Sequence, residues 1–426
     1  MSAGKDDAEA QTIGYSDISA MLPVDKGKQR TTPHIAWRLV GPGLLVCLAD
    51  TDAGCLIVAA QSGARWGYSL LLLQFALIPV LFIAQELTVR LGIYTQKGHT
   101  ACIRERFGPF WAWLSCSFLV VECIGAIVSE MSGVSSVMEM WGCNRLAGTS
   151  IAAGAVIFTV VAFSYRQIER IGVVFGLFEL IFIFTMFWMH PSPLDVLSGM
   201  FTFHRDPAYM KLVAANIGAV IMPWMIYFQQ SAVVARRLVS NKDMTEERTQ
   251  TLFGSILTQL VMIGALVTMA AAPKSRDLES IMDIQAVLAP AFGDLGSKVL
   301  LSFAFTGGSL CAAYVVSLAA SWAVCEAAGH DDTLALDRSV AEAPRFYMCF
   351  MAIVVLGVAV LLMGINVVKL NVFIELMDGL LMPMAVGFLY LLAISDMLPP
   401  EIRLVGVHKA WVGTMFSLCT IVSLGT

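Results

Sequence analysis

Charge is what this sequence has least of. Asp, Glu, Lys and Arg make up 14% of its 426 residues, against roughly 25% in soluble domains. Apolar residues make up 58%, which argues against the two or three separate soluble domains this length would otherwise imply. Histidine is also scarce, with 6 in the chain, all in loops or at the ends of apolar runs. There is no His-Glu-x-x-His pair and no phosphate-binding glycine loop. An intramembrane hydrolase, the reading from another function class, lacks a convincing nucleophile–base pair, so the sequence does not read as an enzyme and implies no cofactor. No basic cluster points to nucleic acid, and the net charge of −5 lies mostly in loops. The 10 cysteines, Cys47, Cys116, Cys311 and Cys349 among them, show no paired spacing. That argues against a disulfide framework and for small buried hydrophobes. Residues 1–33 have no apolar core, so they read as neither signal peptide nor anchor but as a disordered cytoplasmic tail.

What is present is a series of apolar blocks, each long enough to cross about 30 Å of hydrocarbon at about 1.5 Å per residue. Eleven are predicted, at roughly 37–62, 68–93, 110–138, 148–165, 171–190, 211–235, 249–272, 298–325, 346–364, 371–394 and 408–426. The fold class is therefore an all-α polytopic membrane protein with eleven transmembrane helices, residues 34–426 forming one domain within the lipid bilayer. Basic residues concentrate on one set of loops, for example Arg90, Arg104, Arg106, Arg236, Arg237 and Arg248. The positive-inside rule then predicts a multi-pass protein of the cell membrane with a cytoplasmic N-terminus and, for an odd span number, an external C-terminus.

Two spans are interrupted, and they lie five apart. The first meets Asp50-Thr51-Asp52-Ala53-Gly54 in mid-span. Each carboxylate at such depth costs about 2.5–3.5 kcal/mol on insertion scales and usually marks an ion pathway. Asp52 is the prime candidate ligand, the plainer alternative being a cap for the second half-helix. Asp50 either adds negative potential to an aqueous vestibule or pairs with a basic residue. The sixth span runs Gly218-Ala219-Val220-Ile221-Met222-Pro223-Trp224. Pro223 lacks a backbone donor, so a break is expected there, freeing the Ala219 carbonyl for a cation. Interrupted helices at matching positions predict a 5+5 inverted repeat with its site at the midplane, as in amino-acid/sodium symporters. The repeats cover about 37–190 and 211–394, and the helix at 408–426 falls outside them.

Other acids are open to two readings. Glu375 and Asp378 lie about one turn apart on one helix face, either as a structural pair or lining an aqueous route. Glu122, Glu130 and Glu179 read more simply as structural. Gly307-Gly308 reads as a close helix-packing point.

These residues together resemble the Nramp metal transporters. Gly41-Pro42-Gly43 with Asp52-Ala53-Gly54-Cys55 is similar to the Asp-Pro-Gly-Asn motif of that family, and Gly218 to Trp224 is similar to its Met-Pro-His motif. Gln61-Ser62-Gly63-Ala64 and Val121-Glu122 fit the same register, and the likeness extends over spans 1 to 10. The resemblance implies a divalent-metal site of Asp52, the Ala219 carbonyl and the Met222 thioether, with Cys55 at the motif asparagine. Asp50, Trp224, Tyr227, Gln229, Glu375 and Asp378 then surround the site or its vestibule. Trp224 and Gln229 stand where the family has histidines, Ser129 and Ser132 where it has the acids of its proton route, and Glu375 where it has a glutamine.

These departures resemble the Nramp-related magnesium transporter branch. The expected function is import of Mg²⁺, and also Mn²⁺, as a partly hydrated ion by alternating access without proton coupling. Mg²⁺ sheds water reluctantly and takes few carboxylates, whereas a thioether favours softer metals. The alternative is a proton-coupled Mn²⁺/Fe²⁺ transporter. No obligate protein partner is implied.

Overall fold

The computed structural model describes residues 41–272, 278, 280–330, 334–363 and 367–425. The expected tail, residues 1–33, lies outside them. Every regular element among the described residues is helical. Among the described residues ten helices are long and apolar enough to cross a bilayer, and one bent pair makes an eleventh span.

That pair is α1 (Pro42–Ala49) and α2 (Ala53–Trp66), inclined at 50° to each other. Pro42 opens α1 at a position where its missing N–H costs nothing. The chain leaves the helix at Asp50 and becomes extended at Asp52 (φ −69°, ψ −177°), whose side chain caps α2 by accepting from the Cys55 amide at 2.8 Å. The capping role weighed against ligation is thus real, but it occupies one carboxylate oxygen and leaves the other for further contacts.

The second interruption is milder. It separates α10 (Pro207–Gly218) from α11 (Pro223–Ala235), which together run as a single span of 29 residues. Pro223 acts as the first residue of α11 rather than as a mid-helix breaker, and it holds Met222 extended (φ −73°, ψ 134°).

Around these stand α3 (Leu71–Thr95), α4 (His99–Phe107), α5 (Pro109–Met140) and α6 (Arg145–Ala162). The fifth span consists of α7 (Tyr165–Gly176), a 3₁₀ turn at Leu177–Leu180 and α8 (Ile181–Trp188). Next come α9 (Pro193–Met200), then, after α10 and α11, α12 (Asn241–Ala270), α13 (Ile281–Phe292), α14 (Asp294–Ala327), α15 (Pro344–Leu361), α16 (Val367–Ala393) and α17 (Gly406–Leu424). The fifth and seventh spans begin well before hydropathy predicts, because polar caps rather than apolar runs start them. Ser164 and Gln167 form a capping box before α7, as Ser240 and Asp243 do before α12.

Lipid supplies no hydrophobic drive between helices, so small residues set the packing. Gly133 of α5 packs against Ala53 and Ser309, and Gly307 of α14 against the fifth span, as expected of a close packing point. Phe158, Phe184, Phe187 and Trp188 point outward, and α1, α2, α10 and α11 are enclosed, which carries both interruptions to the middle of the molecule.

Candidate metal site at the two helix breaks

A glycine from each break packs on one residue of α16. A Cβ on Gly54 would run into the Glu375 carboxylate; a Cβ on Gly218 would run into the Glu375 backbone carbonyl and stand 2.8 Å from the Gly379 amide. Glu375 is thereby held between the two breaks. Asp52, Cys55 and Glu375 form one buried cluster, with one potential ligand atom from each lying within 4.8 Å of the others. The Cys55 thiol donates to the Ala219 carbonyl at 3.1 Å and so joins the first break to the second. A cation bound at that carbonyl would take the place of the thiol hydrogen. Cys55 of the first motif and Ala219 of the second are thus in contact, and Glu375, placed in the vestibule by sequence, lies in one cluster with Asp52 and Cys55.

Met222 is buried in the second break, next to α11. Both carboxylate oxygens of Asp50 are buried without a hydrogen-bond partner among the described residues, so Asp50 does not pair with a base. Asp378 is in the same condition and within electrostatic reach of Glu122 and Asp52. Glu375 likewise has one carboxylate oxygen without a partner among the described residues.

Of the three vestibule candidates on α11, two have other engagements. Trp224 is fully buried, its indole N–H unpartnered among the described residues. Tyr227 bonds to Ser115 and meets the His99 ring edge-on at 4.7 Å. Burial pushes the His99 imidazole, outside the spans on α4, down to about 4, and its Nδ1 lies 2.8 Å from Gln230 Oε1. Gln229 accepts from Thr88 at 2.6 Å and donates to Thr251 at 3.3 Å, between α3 and α12. Ser129 and Ser132 bond to Asn371 of α16.

Sequence reasoning missed Glu130. Its carboxylate accepts from the Ala53 amide, next to Asp52, at 3.4 Å. Nothing distinguished it from Glu122 and Glu179 along an apolar helix except its spacing from Gly133, which packs on the same break.

The family model described as "Natural resistance-associated macrophage protein-like" matches residues 43–426. The chain belongs to the Nramp family. Among curated Nramp relatives it is 25% identical over 299 residues to the divalent metal cation transporter MntH of Chromohalobacter salexigens, covering 65% of this chain and 68% of that one. It is 27% identical over 240 residues to the metal transporter Nramp3.1 of Populus trichocarpa, covering 51% of this chain and 46% of that one. The chain thus spans about half to two thirds of the length of these relatives. Among solved structures it is similar to the Eremococcus coleocola manganese transporter in complex with an aromatic bis-isothiourea substituted compound. That likeness has a TM-score of 0.75 at 16% identity and covers 95% of this chain and 90% of that one. At that identity it speaks for the Nramp fold alone.

Proposed function

We propose that this chain imports divalent metal ions across a cell membrane by alternating access, binding them between the two helix breaks. The observation that carries the reading is the buried Asp52–Cys55–Glu375 cluster, joined to the Ala219 carbonyl across the breaks. Asp52, Glu375 and that carbonyl offer hard oxygens, while Cys55 and Met222 offer softer sulfur. Manganese is the ion that such a mixture suits among those at issue.

Magnesium is the second reading, favoured by a specific feature of the cavity. Asp50, Glu122, Glu130, Glu375 and Asp378 each bury at least one carboxylate oxygen without a partner among the described residues. A cavity with that much negative potential attracts a dication that keeps part of its water. An inside-negative membrane adds about 4.6 kcal/mol per 100 mV for a doubly charged ion, twice the single-charge value.

The architecture that goes with this reading is a 5+5 inverted repeat over about 37–190 and 211–394, with an added last helix. The N-terminus and the tail at 1–33 are cytoplasmic and the C-terminus external. On the cytoplasmic side, the Gly43 amide donates to Glu247 of α12 at 3.1 Å and Arg236 pairs with Glu169. Both ties have to loosen for the site to open inward. Purified protein in liposomes should quench a trapped manganese-sensitive dye, with a magnesium-sensitive dye run in parallel. No uptake of either ion would overturn the transport reading. Uptake of Mg²⁺ with Mn²⁺ excluded would reverse the order of the two metals.

A further inference from the structure

A second buried acid besides Glu375 meets the first break. Glu179 stands on the 3₁₀ turn at Leu177–Leu180, the one irregular stretch of the fifth span. Tight turns inside a helix place side chains where a regular helix does not. The carboxyl group is fully buried. One oxygen contacts the Thr51 hydroxyl, between Asp50 and Asp52, and the other has no partner among the described residues. The turn fits because α14 presents Gly307-Gly308 to it. A Cβ on Gly308 would run into the free Glu179 oxygen and lie 2.9 Å from the Thr51 carbonyl.

The hydrogen count at Thr51 limits what this contact is. Its hydroxyl lies 3.1 Å from the Leu48 carbonyl and also touches Glu179. A threonine hydroxyl has one hydrogen and a carbonyl can only accept. With the hydrogen on Glu179, the hydroxyl donates to a carboxylate and the Leu48 carbonyl goes without. With the hydrogen on Leu48, the hydroxyl lone pair faces Glu179, and a carboxylic acid O–H completes the bond. The surroundings favour the second arrangement. The charges acting on Glu179 are those of Asp50 and Asp52, both negative, and the group facing it from α14 is the Cys311 thiol. A buried carboxylate there would have no cation to compensate it.

Resting on the transport reading above, we propose that Glu179 is a proton-carrying site that links proton movement to the first break. In this state it is the neutral acid, donating from Oε2 to Thr51 Oγ1. When α1 swings away and water reaches the break, the O–H bond at Oε2 breaks and a water takes the proton. Thr51 then turns its single hydrogen from Leu48 to the new carboxylate. One proton thereby leaves on the side to which the metal is released. This differs from the family's own route, whose positions here are Trp224, Gln229, Ser129 and Ser132. None of these exchanges a proton near neutral pH.

The test uses the full chain in vesicles, with lumenal pH and Mn²⁺ uptake followed by separate dyes. Wild type should acidify the lumen as Mn²⁺ enters, above protein-free vesicles. Glu179→Gln, whose amide still donates to Thr51, should carry Mn²⁺ with that acidification lost, and Glu179→Asp should regain it. In infrared spectra of the detergent-solubilised protein, Glu179→Gln should remove one carboxylic-acid C=O band. Unchanged acidification in Glu179→Gln, or Mn²⁺ uptake by wild type without acidification, would overturn the proposal. If wild type takes up no metal at all, the transport reading fails instead. The infrared band then decides Glu179 alone, and its persistence in Glu179→Gln refutes the protonated state.

Discussion

At the first break the chain turns through 50° over Asp50, Thr51 and Asp52; at the second, α10 and α11 continue as one 29-residue span with four apolar residues between them. The difference lies in what each break offers an ion. The first presents side-chain carboxylates at the start of α2, where unpaired amides need acceptors and Asp52 supplies one. The second presents backbone, the Ala219 carbonyl at the end of α10, which no substitution can delete. A site built this way has ligands that chemistry can edit on one side and ligands that only the fold can move on the other.

The comparison is broken most directly at Asp52. Asp52→Ala should reduce Mn²⁺ uptake to that of protein-free vesicles while the protein stays monodisperse in detergent, since the lost group serves the ion more than the packing. Uptake near the wild-type rate would remove Asp52 from the site.

A matched glycine pair gives the next effect. In Gly54→Ala the new Cβ meets the far end of the Glu375 side chain, which can swing aside. Uptake should fall roughly tenfold through the displaced carboxylate, with melting temperature little changed. In Gly218→Ala the new Cβ meets the α16 backbone at Glu375 and Gly379, which cannot swing aside. That variant should lose about 1–3 kcal/mol of stability, the usual cost of overpacking, read as a lower melting temperature. Equal behaviour of the two variants would mean the breaks do not divide their roles in this way.

The smallest effect belongs to Met222. Met222→Ala should weaken Mn²⁺ uptake by a few-fold and leave competition by Mg²⁺ nearly unchanged, because a thioether discriminates soft from hard ions. An equal loss for both metals would make Met222 a packing residue of the break.

Much of this was readable along the chain. A proline after an apolar run and two acids inside another are local signals, and each marks its interruption without knowledge of its neighbours. Span boundaries were less readable where polar caps such as Ser164 and Ser240 extend a helix beyond its apolar run. Tyr227 and Gln229 share α11 with Trp224, yet their partners are Ser115 and Thr88 on other helices.

The sequence by itself determined the class, the apolar spans, the places where two of them are interrupted, and Asp52 as the acid at the first interruption. These depend on composition and on neighbours within a few residues. Only the tertiary structure decided that Glu375 joins Asp52 and Cys55, that Glu130 accepts from the Ala53 amide, and that Glu179 reaches Thr51. Each is an acid in an apolar helix, and its role depends on which way that helix is turned and how closely its neighbour approaches. Those distances are set by Gly54, Gly218 and Gly308, whose missing Cβ atoms make room for carboxylates or backbone from other helices. That fit is a property of pairs of helices far apart in sequence, so the chain read in order does not display it.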